Sequence, residues 1–230
     1  MSTYQQKQQQ LFSEIEQKFK QGASPSHVVE PVSDYPNDER ICLTCISLLP
    51  PLLEEKIMQN LIVPLQTADP RQYYYVPRSL HLTLQNIRTI HNPPLFTPQD
   101  IEKVKNVLAN VIPRHTRFTF DLKKLFELPT SVSVSAFSDE SLFHLVRDLR
   151  RALEEVGVSD NKKCASERIF FGNTTFVRFT TSPNEAFQEK IQQLKHLQIG
   201  KFEIQTISLI STNSVCSPEK TIVHGNYQLT

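Results

Sequence analysis

Residues 79–87 read SLHLTLQNI, with Leu80, Leu82 and Leu84 alternating against Ser79, His81, Thr83 and Gln85. Side chains on a strand point alternately to its two faces, so the leucines form one apolar stripe and the polar residues another. Such a strand needs its leucine face covered, and a layer of helices is the ordinary cover. The opposite face carries an imidazole and a hydroxyl two residues apart, pointing the same way. A purely solvated strand face would be served as well by Lys, Glu or Thr.

The rest of the chain supplies the cover. Residues 41–49 read as a strand, and Leu53, Ile57, Leu61 and Leu65 recur at helical spacing over 52–65. Thr97 as N-cap, Pro98 at the first helical position and Asp100 in the first turn start a helix that runs to about Val111. Strands follow at 118–122 and 131–137. Ser138 is the expected cap of a helix through Leu142, Leu145, Leu149 and Leu153 that Gly157 stops. A strand at 169–179, a helix with a capping box at Ser182–Glu185, and strands at 202–210 and 221–229 complete the order. Helix-linked strands mixed with short hairpins make an α+β fold with mixed sheets. LKKLF, residues 122–126, reads as a solvated turn. Residues 1–39 stand apart as a Gln-rich, weakly amphipathic helix followed by a proline-containing linker, which composition marks as mobile. Residues 40–230 form the body.

Several function classes lose their basis here. With 25 basic and 24 acidic residues the net charge is +1, so no global field attracts a polyanion, and any such site must be a local cluster. Only five glycines are present, and none forms a P-loop or a dinucleotide fingerprint; G-x-S-x-G and H-E-x-x-H are also missing. No apolar run approaches the ~20 residues of a membrane span, and the Gln-rich start is unlike a secretory signal, so a cytoplasmic protein is expected. Cys42 and Cys45 have metal-ligand spacing, but on a strand they point to opposite faces; Cys164 and Cys216 are isolated. No metal and no cofactor are expected.

YVPRSLHLTL, residues 75–84, resembles the first signature of the two-histidine (2H) phosphoesterase superfamily, which includes 2′-5′ RNA ligase-like proteins and cyclic-nucleotide phosphodiesterases. The signature is an aromatic-Val-Pro lead-in, a turn, and His-x-Thr-Leu on a strand. The resemblance, over about residues 40–229, implies two ferredoxin-like α+β lobes with mixed sheets facing a central cleft, each contributing one His-x-Thr/Ser motif. It implies a second motif of the form His-x-Thr-apolar-x-Arg. NTTFVR, residues 173–178, matches at Thr175, Phe176 and Arg178 but carries Asn173 where the histidine is expected.

That departure bears on the chemistry. Opening a phosphodiester at ribose needs one group to take a proton and another to give one, and two imidazoles can share those tasks. An amide cannot transfer a proton at neutral pH, although it can hydrogen-bond a phosphate. The resemblance therefore implies His81 as the remaining acid/base, Thr83 and Thr175 as phosphate-binding hydroxyls, and Asn173 as a hydrogen-bond donor. Tyr75, Ser79 and Gln85 are candidate substrate-binding residues. Strand alternation places Arg178 on the face opposite Asn173 and Thr175. His27 lies in the linker, His144 and His196 on helices; His115 and His224, in or entering strands, are the alternative second acid/base groups. The implied partner is an RNA end or a small cyclic or oligonucleotide phosphate, bound by a monomer. Three readings stay open: a metal-independent cyclic phosphodiesterase, a non-catalytic nucleotide- or RNA-phosphate-binding module, and a protein-interaction scaffold.

Overall fold

The structure, a computed structural model, describes residues 2–23, 28–161 and 166–230. His27 and Cys164 lie outside the described residues. Helix α1 (Thr3–Lys20) precedes strand β1 (Ile41–Leu48). The helix expected over 52–65 is longer: α2 (Pro51–Ile57), a π-helical turn (Met58–Ile62) and α3 (Val63–Ala68) run on without a break. Pro64 has no N–H to give, and the widened turn just before it accommodates the gap in the ladder. Strands β2 (Tyr73–Tyr74) and β3 (His81–His91) follow, then α4 (Pro98–Val111), capped by Thr97 with a reciprocal bond to Asp100. The chain continues through β4 (Phe118–Leu128), β5 (Ser131–Phe137), α5 (Ser141–Glu155), β6 (Gly172–Arg178), α6 (Glu185–Leu194), β7 (Gln198–Ile204), β8 (Thr206–Thr212) and β9 (Ile222–Gln228).

Two sheets result, with strand orders β3-β1-β8-β9 and β2-β6-β5-β4-β7. Every ladder is antiparallel, so the sheets are not mixed. Helices α2 and α3 carry the chain away from the end of β1, and β2 brings it back to that same end. β3 therefore starts beside Leu48 and runs antiparallel to β1. The single strand expected over 202–210 is two strands in different sheets. The chain changes lobes at Gln205, whose carbonyl accepts the Leu229 N–H at 2.9 Å.

Three local expectations are corrected. LKKLF is part of β4, with Lys124 at φ 62° in a bulge and Lys123 paired to Asp121 at 2.6 Å. Ser138 does not cap α5, which begins at Ser141 with Glu140 at the N-cap; the Ser138 N–H donates to the Gln8 side chain at 3.1 Å. Asn184, not Ser182, caps α6: its Oδ1 accepts the Phe187 N–H at 2.8 Å. Bonds from Asn184 to Asp69 and to the Ala68 carbonyl hold it at that boundary.

Leu80, Leu82 and Leu84 are buried in one core continuous through both lobes. A polar knot fastens the α3–β2 turn to the start of α6. The fully buried Asp69 accepts two bonds from the Arg71 guanidinium at 2.7 and 2.8 Å, one from Gln72 at 2.9 Å and one from the Asn184 N–H at 3.1 Å. These bonds, Arg71 first, hold its carboxyl far below the usual carboxylate range. A depressed folded pKa means the stabilisation is present above about pH 4 and drains away as pH falls below it. Asp69→Ala should cost about 2–4 kcal/mol in urea unfolding at pH 7 and less at pH 3. An equal cost at both pH values would show that the ionised carboxylate does not hold this turn.

Candidate functional site

β3 and β6 lie side by side across the gap between the sheets, and a cavity of about 240 Å³ opens between them. His81 and Thr83 on β3, and Asn173 and Thr175 on β6, line it together. β1 adds Cys42 and Thr44, β5 adds Ser131, and the segment after β8 adds Asn213 and Ser214. Among the described residues His81 is the one histidine in this lining. Of the other candidates, His115 pairs with Asp148 at 3.3 Å in a separate groove between α4 and α5, and His224 meets the Ser211 hydroxyl at 2.9 Å.

The lead-in sets the position of His81. Tyr73 and Tyr74 pair with Arg178 and Val177 of β6, and the Tyr75 N–H donates to the Phe176 carbonyl at 3.0 Å. The chain then turns sharply, with Arg78 at φ 68°, a left-handed conformation costly for a side chain of its size. The buried Glu54 carboxylate accepts the Arg78 N–H at 2.9 Å and holds the turn. Ser79 sits in this turn, fully buried and outside the cavity lining, with its hydroxyl donating to the Val76 carbonyl at 2.6 Å. Strand alternation does not yet apply there, since β3 begins at His81. The Ser79 carbonyl accepts the His81 Nδ1–H at 2.7 Å, which fixes the tautomer and leaves Nε2 as the basic nitrogen.

Cys216 hydrogen-bonds the same ring. The thiol also meets Thr212 and Thr221, and the backbone of Cys216 is held at φ 54°. With Nδ1 taken, Nε2 is the nitrogen left for anything held in the cleft. Burial opposes the His81 cation, but the Cys216 sulfur and the Ser79 carbonyl outweigh it and raise the imidazole pKa above its ordinary value. Burial likewise opposes a Cys216 thiolate, and the His81 ring overcomes that and lowers the thiol pKa. An isolated cysteine distant in sequence carries no signal for this pairing.

On β6 the missing imidazole is replaced by a closed set of hydrogen bonds. Asn173 Nδ2 donates to the Ser133 hydroxyl at 2.9 Å and, more weakly, to Thr175 Oγ1 at 3.4 Å; the Ser133 and Thr175 hydroxyls are 3.0 Å apart. Ser133 carried no motif in the sequence and enters through the β5–β6 pairing. Arg178 lines the same cavity as Asn173 and Thr175, against the alternation expected. Val132 faces Val177 while Ser133 faces Thr175, so one extra β6 residue is bulged, Phe176 and Val177 are both buried, and the parity of Arg178 is reversed. Arg178 Nε donates to the Tyr75 hydroxyl at 3.2 Å, which donates to the Ser214 carbonyl at 3.2 Å. The Tyr75 ring is buried against Tyr73, so its polar edge faces the cavity rather than a stacking surface. Gln85 binds Asp160 at 2.8 Å and Arg150 at 3.3 Å at the other end of the lining.

Among the described residues no group of three or more His, Cys, Asp or Glu could hold a metal ion, and no helix is long and apolar enough to cross a membrane. Cys42 and Cys45 occupy opposite faces of β1, with burial pushing the Cys45 thiol up to about 12. Removing the thiol in Cys216→Ala should lower the His81 pKa, read directly by NMR titration of the ring. An unchanged titration midpoint would mean that the sulfur does not act on the imidazole.

No protein-family model matches the chain, and no curated protein does. Solved structures do. A structure described as a phosphoesterase superposes with TM-score 0.58 at 15% identity, over 84% of this chain and 99% of that one. TT0787 of Thermus thermophilus gives 0.57 at 15% identity, over 82% and 97%. E. coli LigT, solved with 3′-AMP, gives 0.54 at 16% identity, over 84% and 99%, so this chain carries length that LigT lacks. The two facing sheets, with the His81 strand beside the Asn173 strand, are thus the fold that these solved structures share.

Proposed function

We propose that the cleft binds the phosphate of a nucleotide phosphoester, such as an RNA end or a 2′,3′-cyclic nucleotide, and opens it slowly with a single ring base. The observation that carries this is the convergence of His81, Thr83, Asn173 and Thr175 on one cavity. LigT, which shares the fold, has been solved with 3′-AMP, ATP, NADP+ and phosphate, which supports a phosphate ligand in a cleft of this shape. Arg178 supplies positive charge at the lining, and the Thr83 and Thr175 hydroxyls supply donors for non-bridging oxygens.

In this reading His81 Nε2 accepts the proton of an attacking water while Nδ1–H stays on the Ser79 carbonyl. Asn173 acts as a positioning residue rather than a phosphate donor. Its amide protons are directed at Ser133 and Thr175, so Ser133 can donate to Thr175 and Thr175 can turn its own proton to the ligand. Among the described residues no second imidazole lines the cleft to meet the leaving oxygen, and loss of one general acid or base costs about 10²–10⁴ in rate. That same amide favours a second reading, a binding module with no turnover.

Turnover of a 2′,3′-cyclic nucleotide by the wild type should be slow and indifferent to EDTA, and His81→Ala should abolish it while binding is partly kept. Asn173→His should raise the rate, by no more than about 1–3 kcal/mol of barrier, since the new ring lacks supporting bonds. Fast wild-type turnover that Asn173→His slows would overturn the single-base mechanism. Measurable binding with no turnover in either protein would establish the binding module. Arg178→Ala should weaken binding of inorganic phosphate about tenfold or more in calorimetry. Unchanged affinity there would remove Arg178 from the site.

A further inference from the structure

Helix α1 and residues 28–40 are built onto the cleft, and the proposed phosphoester chemistry does not account for them. On the cleft face of the five-stranded sheet, Ser133 of β5 and Asn173 and Thr175 of β6 form a polar half. Farther along that face stand Phe137 of β5 and Phe171 just before β6, and Phe126 of β4 flanks Ser133. Helix α1 lies on this apolar half. The Phe12 ring meets Phe126, Phe137 and Phe171 at centroid distances of 5.2, 5.2 and 4.9 Å, with Ile15 and Leu11 buried beside it.

Directed polar bonds fix its position as well. Gln8 is fully buried: Nε2 donates to the Phe170 carbonyl at 3.0 Å and Oε1 accepts the Ser138 N–H at 3.1 Å. The Tyr4 hydroxyl accepts the Phe170 N–H at 2.8 Å. A buried Gln paired to backbone at both ends of its amide is a specific anchor, since any shift of the helix would strand those groups unsatisfied.

Residues 28–40 then cross from one lobe to the other. On the β4–β6 side, the Thr130 hydroxyl donates to the Val29 carbonyl at 3.0 Å, and the Tyr35 hydroxyl donates to the Phe179 carbonyl at 3.1 Å. On the β8 side, Asn213 Nδ2 donates to the Tyr35 and Pro36 carbonyls, and the Ser214 hydroxyl donates to Asp38. Val28 and Val29 are themselves part of the cavity lining, beside Thr130 and Arg178.

We propose that α1 and the strap of residues 28–40 are a length gate, the strap closing the Arg178 end of the cleft and α1 covering the Phe137–Phe171 end of the same sheet face, so that only a mononucleotide or the end of a strand reaches His81. The inference rests on the phosphoester reading of the same cleft. A continuous strand passing over the site would have to run where the strap joins the lobes or where α1 covers the phenylalanines. The cavity of about 240 Å³ lies just below the common range of small-ligand pockets, about 300–1,000 Å³, and so suits one nucleotide rather than a run of them.

The test uses the full chain and three probes: adenosine 2′,3′-cyclic phosphate, a linear oligoadenylate ending in a 2′,3′-cyclic phosphate, and a circular oligoadenylate of equal length. Calorimetry should show the first two binding and the circle binding about tenfold or more weaker. A double variant, Tyr4→Phe with Gln8→Ala, removes the anchors, and neither side chain lines the cleft. Hydrogen exchange should then report faster opening of α1, and the circle should gain affinity while the mononucleotide does not. Equal binding of circle and linear strand by the wild type would overturn the gate and leave the phosphoester reading standing. So would a loosened α1 with unchanged discrimination. Failure of the mononucleotide itself to bind would overturn both.

Discussion

The position of the site rests on one short crossing of the chain between the lobes. Tyr73 and Tyr74 are an edge strand on β6, and His81, a few residues on, is the first residue of β3 in the other sheet. Side-chain packing alone between two sheets would leave their relative shift soft. A covalent segment hydrogen-bonded to one motif strand and continuing into the other removes that freedom. The turn it needs is strained at Arg78, and the Glu54 carboxylate under its N–H is the compensation. The turn also presents the Ser79 carbonyl to His81, so the geometry that joins the lobes sets the imidazole tautomer as well.

The Asn173 side of the cleft follows a different logic. An imidazole there would need a hydrogen-bond partner, and the nearest hydroxyls, Ser133 and Thr175, already close a set of hydrogen bonds around the amide. Asn173 is thus locally consistent with its surroundings and not a hole left by a lost residue. The basic and polar groups at the two ends of the lining, Arg178 with Tyr75 and Arg150 with Gln85, are likewise tied to protein partners. The cleft is pre-organised in its hydroxyls and in one ring, with its charge held at the margins.

Legibility in the sequence tracked how local each determinant is. The β3 leucine face, the Thr97 cap and β5 follow from alternation and capping within a few residues, and each was readable. β2 has only two residues and exists because β6 offers it an edge. The parity of Arg178 depends on a bulge opposite Val132 and Ser133, and the break at Gln205 on two sheets competing for one apolar run. Cys216 meets His81 across more than a hundred residues of chain. Determinants of that kind belong to the tertiary pairing, and no window of sequence contains them.

The crossings also dictate an order of assembly. One sheet is made of β1, β3, β8 and β9, while the strands between them in sequence, β4 to β7, belong to the other. On a chain emerging from the ribosome, β4 and β5 can pair as soon as they appear, and β6 and β7 can add to them before β8 is made, because the partners of all four precede β8. β1 must wait for β8, which arrives only after every strand of the other sheet. Until then its long-range edge is unpaired, a state that slows folding and exposes the chain to self-association. The hairpin of β1 and β3, already carrying His81, is therefore the part of the nascent protein that a chaperone would have most reason to hold.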